Sequence, residues 1–286
     1  MHHQIPFTKV SGAGNDFVLV DNMSMLLQVD WVRFARTACS RPFGIGADGL
    51  LVIEPSDMAD FTMKYYNADG SYGGMCGNGG RCVARYASLQ GIAGNKTTFH
   101  ALGHVYQARV EGASVILKMQ NVAAAPRRLS LVLDHDMSLD GFFVDTASPH
   151  LVVLSGELDS EDVQRVGRAA RNHPALGPDG ANINFYSLNP PGGIQLRTYE
   201  RGVEAETLAC GTGAVAAALV AWCEFGMNPP VQVQVRSGET LIVGFAPLDN
   251  SFADIELKGS SHILFSGTIV FDPDAGIVDS EPSRSL

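Results

Sequence analysis

One local pattern occurs twice in this chain, and it limits the possible folds more than any other feature. Residues 63–67 read as a strand, followed by a polar loop and then Met75, Cys76, Gly77, Asn78 and Gly79. Residues 196–200 read as a second strand, followed by a polar loop and then Ala209, Cys210, Gly211, Thr212 and Gly213. Each Cys-Gly-x-Gly turn opens a run with helical character, and these runs stop near Gly91 and Gly226. Strand, loop, Cys-Gly-x-Gly and helix, twice over, predict two similar α/β lobes whose repeated turns face one cleft.

The rest of the chain suits such an arrangement. Alternating apolar runs predict strands over 61–66, 104–110, 114–119, 183–188, 194–199, 231–235 and 240–245. Two further helices are expected: one over 30–39 with Asp30 as N-cap, the other starting near Ser160, whose hydroxyl can cap it, and stopping before His173 and Pro174. Small residues and Pro126 make 121–128 the expected linker between lobes.

Composition narrows the function classes. A chain of 286 residues with 45% hydrophobic and 17% charged residues has enough apolar material for a core without disulfides. A net charge of −10 speaks against a nucleic-acid surface, which needs clustered Lys and Arg, but not against a small anionic ligand. The most apolar run, 214–222, is too short to span a bilayer, so no membrane association is expected. The start lacks the basic-then-apolar pattern of an export signal, and the cysteine count is odd at five. A reducing, cytoplasmic location is therefore expected. Cys39, Cys82 and Cys223 are expected to be buried structural residues.

A cysteine just ahead of a helix start sits beside unpaired N–H groups and a partial positive charge, both of which stabilise a thiolate. The same N–H groups can hold a carboxylate, and glycine lets a ligand come close to the backbone. Two such turns across one cleft would place the α-carbon of a clamped amino acid between two sulfurs. One thiolate would remove the α-proton while the other thiol supplied a proton to the opposite face. Neither a cofactor nor a metal is expected: His100 and His104 lack a third ligand nearby, and the Gly-rich turns lack the Lys-Ser/Thr of a nucleotide loop. Asn15, Asn67, Asn182, Glu200 and Arg201 stand at turns or strand ends near the cysteine turns. Together they favour a ligand bearing both ammonium and carboxylate groups.

Segments 12–17 (GAGNDF), 44–48 (GIGAD), 66–70 (YNADG), 75–82 (MCGNGGRC), 182–185 (NINF), 199–202 (YERG) and 209–213 (ACGTG) span most of the chain in order. In this they resemble the diaminopimelate epimerases, enzymes of lysine and cell-wall precursor synthesis. The resemblance implies an α/β (α+β) fold of two pseudo-symmetric lobes, each a curled, mostly antiparallel sheet around a central helix. One lobe would hold 1–121 plus 264–276 and carry Cys76, the other 122–263 with Cys210, and 277–286 would be a tail. A last strand near 263–271 would return to the first lobe. The implied activity is interconversion of LL- and meso-diaminopimelate by a homodimer, with no cofactor.

By motif position, Cys76 and Cys210 would be the acid/base pair. The N–H groups of Gly77, Asn78, Gly211 and Thr212 would hold the reacting carboxylate. Asn67, Asn182 and Arg201 would bind the distal carboxylate, and Glu200 would meet the distal amine. Asn15 would line the site, and His150 and Glu200 would tune the thiols. Two positions depart from the family pattern: Gly49 where Gln is frequent, and Ser148 where Asn is usual. Other readings are a racemase or epimerase of a different amino acid on the same fold, and a non-catalytic amino-acid-binding protein. A proline-type substrate would leave Arg201 and Asn182 idle, and a binding protein would not need two thiols.

Overall fold

A computed structural model of the chain describes residues 2–134, 137–189 and 191–282. The chain divides into two compact units, Met1–Leu117 with Gly259–Leu286, and Lys118–Lys258.

The first unit opens with β1 (His3–Gly12) and β2 (Asn15–Asp21), a hairpin turned at Ala13 and Gly14, where φ is 53° and 99°. α1 (Trp31–Ala38) crosses to β3 (Gly49–Glu54), which pairs parallel with β2. β4 (Phe61–Asn67) runs antiparallel to β3, and α2 (Gly77–Leu89) crosses to β5 (Lys96–Ala101), parallel to β4. β6 (His104–Glu111) and β7 (Ser114–Lys118) follow as antiparallel neighbours.

The second unit uses the same order. β8 (Arg127–Asp134) pairs with β9 (Met137–Asp145), and β9 with β10 (Pro149–Leu154), both antiparallel. α3 (Val163–Ala170) crosses to β11 (Asn182–Asn189), parallel to β10, and β12 (Gly193–Glu200) returns antiparallel. After the short β13 (Ala205–Thr207), α4 (Gly211–Phe225) crosses to β14 (Val231–Gln234), parallel to β12. β15 (Thr240–Pro247) and β16 (Phe252–Ser260) complete the antiparallel run. The chain then re-enters the first unit as β17 (His262–Asp272), antiparallel to β1, and ends as β18 (Gly276–Pro282) on β17. In pairing terms β17 stands to β1 as β8 stands to β9.

Each sheet is covered on both faces. In the first unit, Phe34, Ala35 and Ala38 of α1 pack with Val18, Val20, Leu50, Val52, Ile269 and Phe271. Leu51 points the other way, and a Cβ on Gly79 of α2 would lie 2.9 Å from its side chain. β3 is accordingly buried at every residue, as a strand covered on both sides must be. In the second unit, Val163, Val166 and Ala170 of α3 cover Leu151, Val153, Ile183 and Phe185, while α4, buried continuously from Gly213 to Ala221, takes the opposite face. A helix enclosed this way is apolar all round, and α4 is Ala-rich for that reason.

Several expectations are corrected. Ser160 does not cap α3; it ends a one-turn 3-10 segment (Leu158–Ser160), and the Asp162 carboxylate caps α3 by accepting from the Arg165 N–H at 3.1 Å. Asp30 does cap α1, accepting from Val32 and Arg33. The stretch expected to link the lobes is strapped to the second unit, with Val122 bridging Phe252 and the Ala125 N–H donating to Asn250 at 2.9 Å. Residues 277–282 are not a tail but part of β18. Cys39 and Cys82 are buried, whereas Cys223 is exposed. No helix among the described residues is long and apolar enough to cross a membrane.

Phe34 is fully buried and meets Trp31 and Phe271 edge-to-face at 5.8 and 5.3 Å. Replacing it by Ala leaves a cavity that α1 cannot close, and Phe34→Ala should cost about 3–5 kcal/mol, read as a lower urea midpoint for the first unit.

Candidate active site

Both cysteines hold the same local post. Cys76 is the N-cap of α2, at φ −120° and ψ 122°. Cys210 is the N-cap of α4, at φ −124° and ψ 113°. In each case the cysteine carbonyl accepts the first intrahelical bond, from Gly80 N–H at 2.7 Å and from Ala214 N–H at 2.9 Å. The N–H groups of the intervening residues precede that ladder and point out of the helix end. Neither sulfur caps its helix. Cys210 is 6% exposed and its Sγ lies 3.5 Å from Thr212 Oγ1, while Cys76 is half-buried. A side chain at Gly77 would meet nothing within 4 Å, so the approach to that helix end is open.

Behind Cys76 the polar residues are bonded to one another. Asn78 donates to Asn15 Oδ1 at 2.6 Å, and Asn15 donates to Asp48 at 2.9 Å. Asp48 and Asp16 exchange bonds through their backbone N–H groups, and both meet Arg41. Lys9, 5% exposed, pairs with Asp16 at 2.7 Å. Burial opposes the Asp16 carboxylate, but Lys9 and Arg41 outweigh it and hold its pKa below the usual range. Arg81, wholly buried, donates to Asn78 Oδ1 at 2.7 Å. Asn67 stands apart from this chain of bonds, donating to Ser71 Oγ at 2.9 Å within its own turn. Gly49 leaves no gap: a Cβ there would lie 2.5 Å from both the Tyr65 ring and the Tyr66 carbonyl.

The second unit arranges its groups differently. Asn182 spends both amide hydrogens on Ser148 Oγ (2.9 Å) and the Pro149 carbonyl (3.0 Å), and accepts from the Arg201 N–H at 2.9 Å. It ties the turn before β10 to the end of β12. The Arg201 guanidinium forms no ion pair among the described residues, with Glu200 or any other carboxylate. Burial pushes the pKa of Glu200 up. His150 is fully buried on the α4 face of β10, and burial together with the charge of Arg201 pushes its pKa down to about 3. Its imidazole is therefore neutral at physiological pH.

Sequence reasoning passed over Lys9, Asp16, Arg41, Asp48 and Arg81, although three of them lie inside the quoted motifs. Their role depends on contacts between β1, β2 and α2 that no local pattern encodes. Asn184 was also missed. Its signal was a polar residue at an inward position of an otherwise apolar strand.

In fold, the chain is similar to several solved structures. It aligns with a Bacillus anthracis phenazine biosynthesis protein of the PhzF family at TM-score 0.69 and 14% identity, covering 93% of this chain and 99% of that one. It aligns with a hydroxyproline epimerase from Agrobacterium vitis at TM-score 0.68 and 14% identity, covering 94% and 92%. In sequence, the diaminopimelate epimerase family model matches residues 7–123 and 142–245. The diaminopimelate epimerase of Chlorobaculum tepidum is 42% identical over 91% of this chain and 99% of its own length. That of Aquifex aeolicus is 38% identical over 92% and 97%. This chain belongs to the diaminopimelate epimerase family and is an isomerase.

The depressed pKa of His150 fixes the sign of a pH effect. The unfolded chain binds a proton at His150 below about pH 6.5, and the folded chain does so only near pH 3. Stability tied to this residue is thus complete above the unfolded value and is lost as pH falls through that window. Urea midpoints should drop between pH 6.5 and pH 3, and His150→Gln should flatten part of that slope.

Proposed function

We propose that this chain interconverts LL- and meso-2,6-diaminopimelate by proton transfer between two thiols, without a cofactor or metal. One observation carries the reading: Cys76 and Cys210 sit as N-caps, with nearly equal backbone angles, on the enclosed central helices of two units built alike. The reacting carboxylate is held by the N–H groups of Gly77 and Asn78 and of Gly211 and Thr212, where each helix end is positive. One thiolate takes the α-proton, breaking the C–H bond and forming S–H. The electron pair is left on the α-carbon and spreads into the clamped carboxylate. The opposite thiol then gives up its proton to the other face of that carbon, and its sulfur is left as thiolate. The steps balance, and the two sulfurs exchange roles with each turnover.

An α-proton of an amino acid is a very weak acid, so the carbanion needs fixed dipoles in a site that excludes water. Glu200 and His150 adjust the two thiols. At the distal end, Arg201 and Asn67 receive the carboxylate and Glu200 the ammonium group, while Asn182 holds Arg201 in place and Asn15 lines the wall. An Arg201 without an ion pair among the described residues favours this reading over a substrate lacking a distal charge. The enzyme acts in the cytoplasm as a homodimer.

Cys76→Ala and Cys210→Ala should each lower epimerisation by several orders of magnitude, measured as formation of the meso isomer and as α-deuterium uptake in heavy water. Wild-type turnover in either would reject the two-thiol reaction. Arg201→Met should raise KM for diaminopimelate at least tenfold, in line with about 1.5–3 kcal/mol for a charged hydrogen bond, with a smaller change in kcat.

A further inference from the structure

Asn184 lies fully buried on the α4 face of β11, and its hydrogen bonds leave no freedom in its orientation. Its amide nitrogen faces the Leu151 carbonyl at 3.2 Å and the Asn182 carbonyl at 3.4 Å. Carbonyls only accept, so the atom facing them is the NH2 group and not the amide oxygen. The oxygen in turn accepts from Thr198 Oγ1 at 2.9 Å. The same NH2 group lies 3.0 Å from Nδ1 of His150. A donor directed at Nδ1 requires a lone pair there, and in a neutral imidazole this puts the hydrogen on Nε2. Nε2 is buried and has no hydrogen-bond partner among the described residues. A buried donor left unmatched is costly, so its N–H is kept for an acceptor that comes and goes.

The surroundings favour an anion as that acceptor. Gly213, in the first turn of α4, has no side chain where a Cβ would lie 2.5 Å from Asn184 Oδ1 and 3.3 Å from Cys210 Sγ. Asn184 therefore reaches the half-site of Cys210 directly. Arg201, which has no ion pair among the described residues, contributes positive potential at the same histidine.

We infer that Asn184 is a positioning residue that locks His150 as the Nε2–H tautomer, making it a neutral hydrogen-bond donor to anions in the half-site of Cys210. With its lone pair taken up by Asn184, His150 cannot act there as the proton acceptor. The inference rests on the epimerase reading only for what the donor serves; the tautomer itself can be read without any turnover.

The test uses the full-length protein labelled with 15N-histidine, observed by long-range 1H–15N correlation at neutral pH. The His150 signals are assigned by their loss in His150→Gln. The wild type should show a protonated Nε2 and a bare Nδ1. In Asn184→Asp the carboxylate can only accept, so the two nitrogen resonances should exchange places as the hydrogen moves to Nδ1. Asn184→Leu, which removes the bond without reversing it, should give a mixture of tautomers and serves if the Asp variant does not fold. A wild-type protein with Nδ1 protonated would overturn the inference. So would a pure Nε2–H form persisting in either variant. Loss of activity with the tautomers as expected would bear on the reaction alone.

Discussion

A helix with sheet against its sides can meet a ligand only at its end. α2 is buried from Asn78 through Ala84, and α4 from Gly213 through Ala221, so neither offers a lateral surface to solvent along those residues. Close enclosure demands small residues: a Cβ on Gly80 would come within 3.0 Å of Phe99, and one on Gly213 within 2.5 Å of Asn184. What remains for chemistry is the N-terminal turn, with its outward N–H groups, partial positive charge and capping cysteine. The two cysteine positions thus follow from burying the helices, and the sulfurs take their places from the backbone geometry of the N-cap.

The polar residues around these helix ends fall into two groups. Asn15, Asn78 and Asp48 in one unit, and Asn182 and Asn184 in the other, direct their hydrogen bonds at neighbouring protein groups. They fix loops and rings in place before any ligand arrives, which is how a site avoids reorganising during reaction. The Nε2 edge of His150 has no such partner among the described residues.

Much of this was legible beforehand. The duplicated cysteine turn led to two similar units and to both helix starts, because glycine at those places has few other uses. The alternating strands 183–188 and 240–245 correspond to β11 and β15. β3 was passed over because a strand buried on both faces shows no alternation. β8 and β9 were not among the expected strands. Ser160 looked like a cap because its local sequence suits one, but the 3-10 turn placed the helix start beyond it. The polar chain from Lys9 to Asn78 joins residues far apart in sequence, and only the fold brings them together.

β17 supplies the partner of β1 over nearly its whole length, from His3 to Ser11. The first unit thus needs residues from both ends of the chain, whereas the second is built from one continuous stretch. On a ribosome, the second unit has all its strands by the time Ser260 emerges. β1 must wait until His262–Asp272 has been made. Domains form as units during synthesis where they can, so the order of assembly here runs opposite to the order of the sequence. The half carrying Cys210 has all its strands first, and the half carrying Cys76 closes only once β17 has emerged.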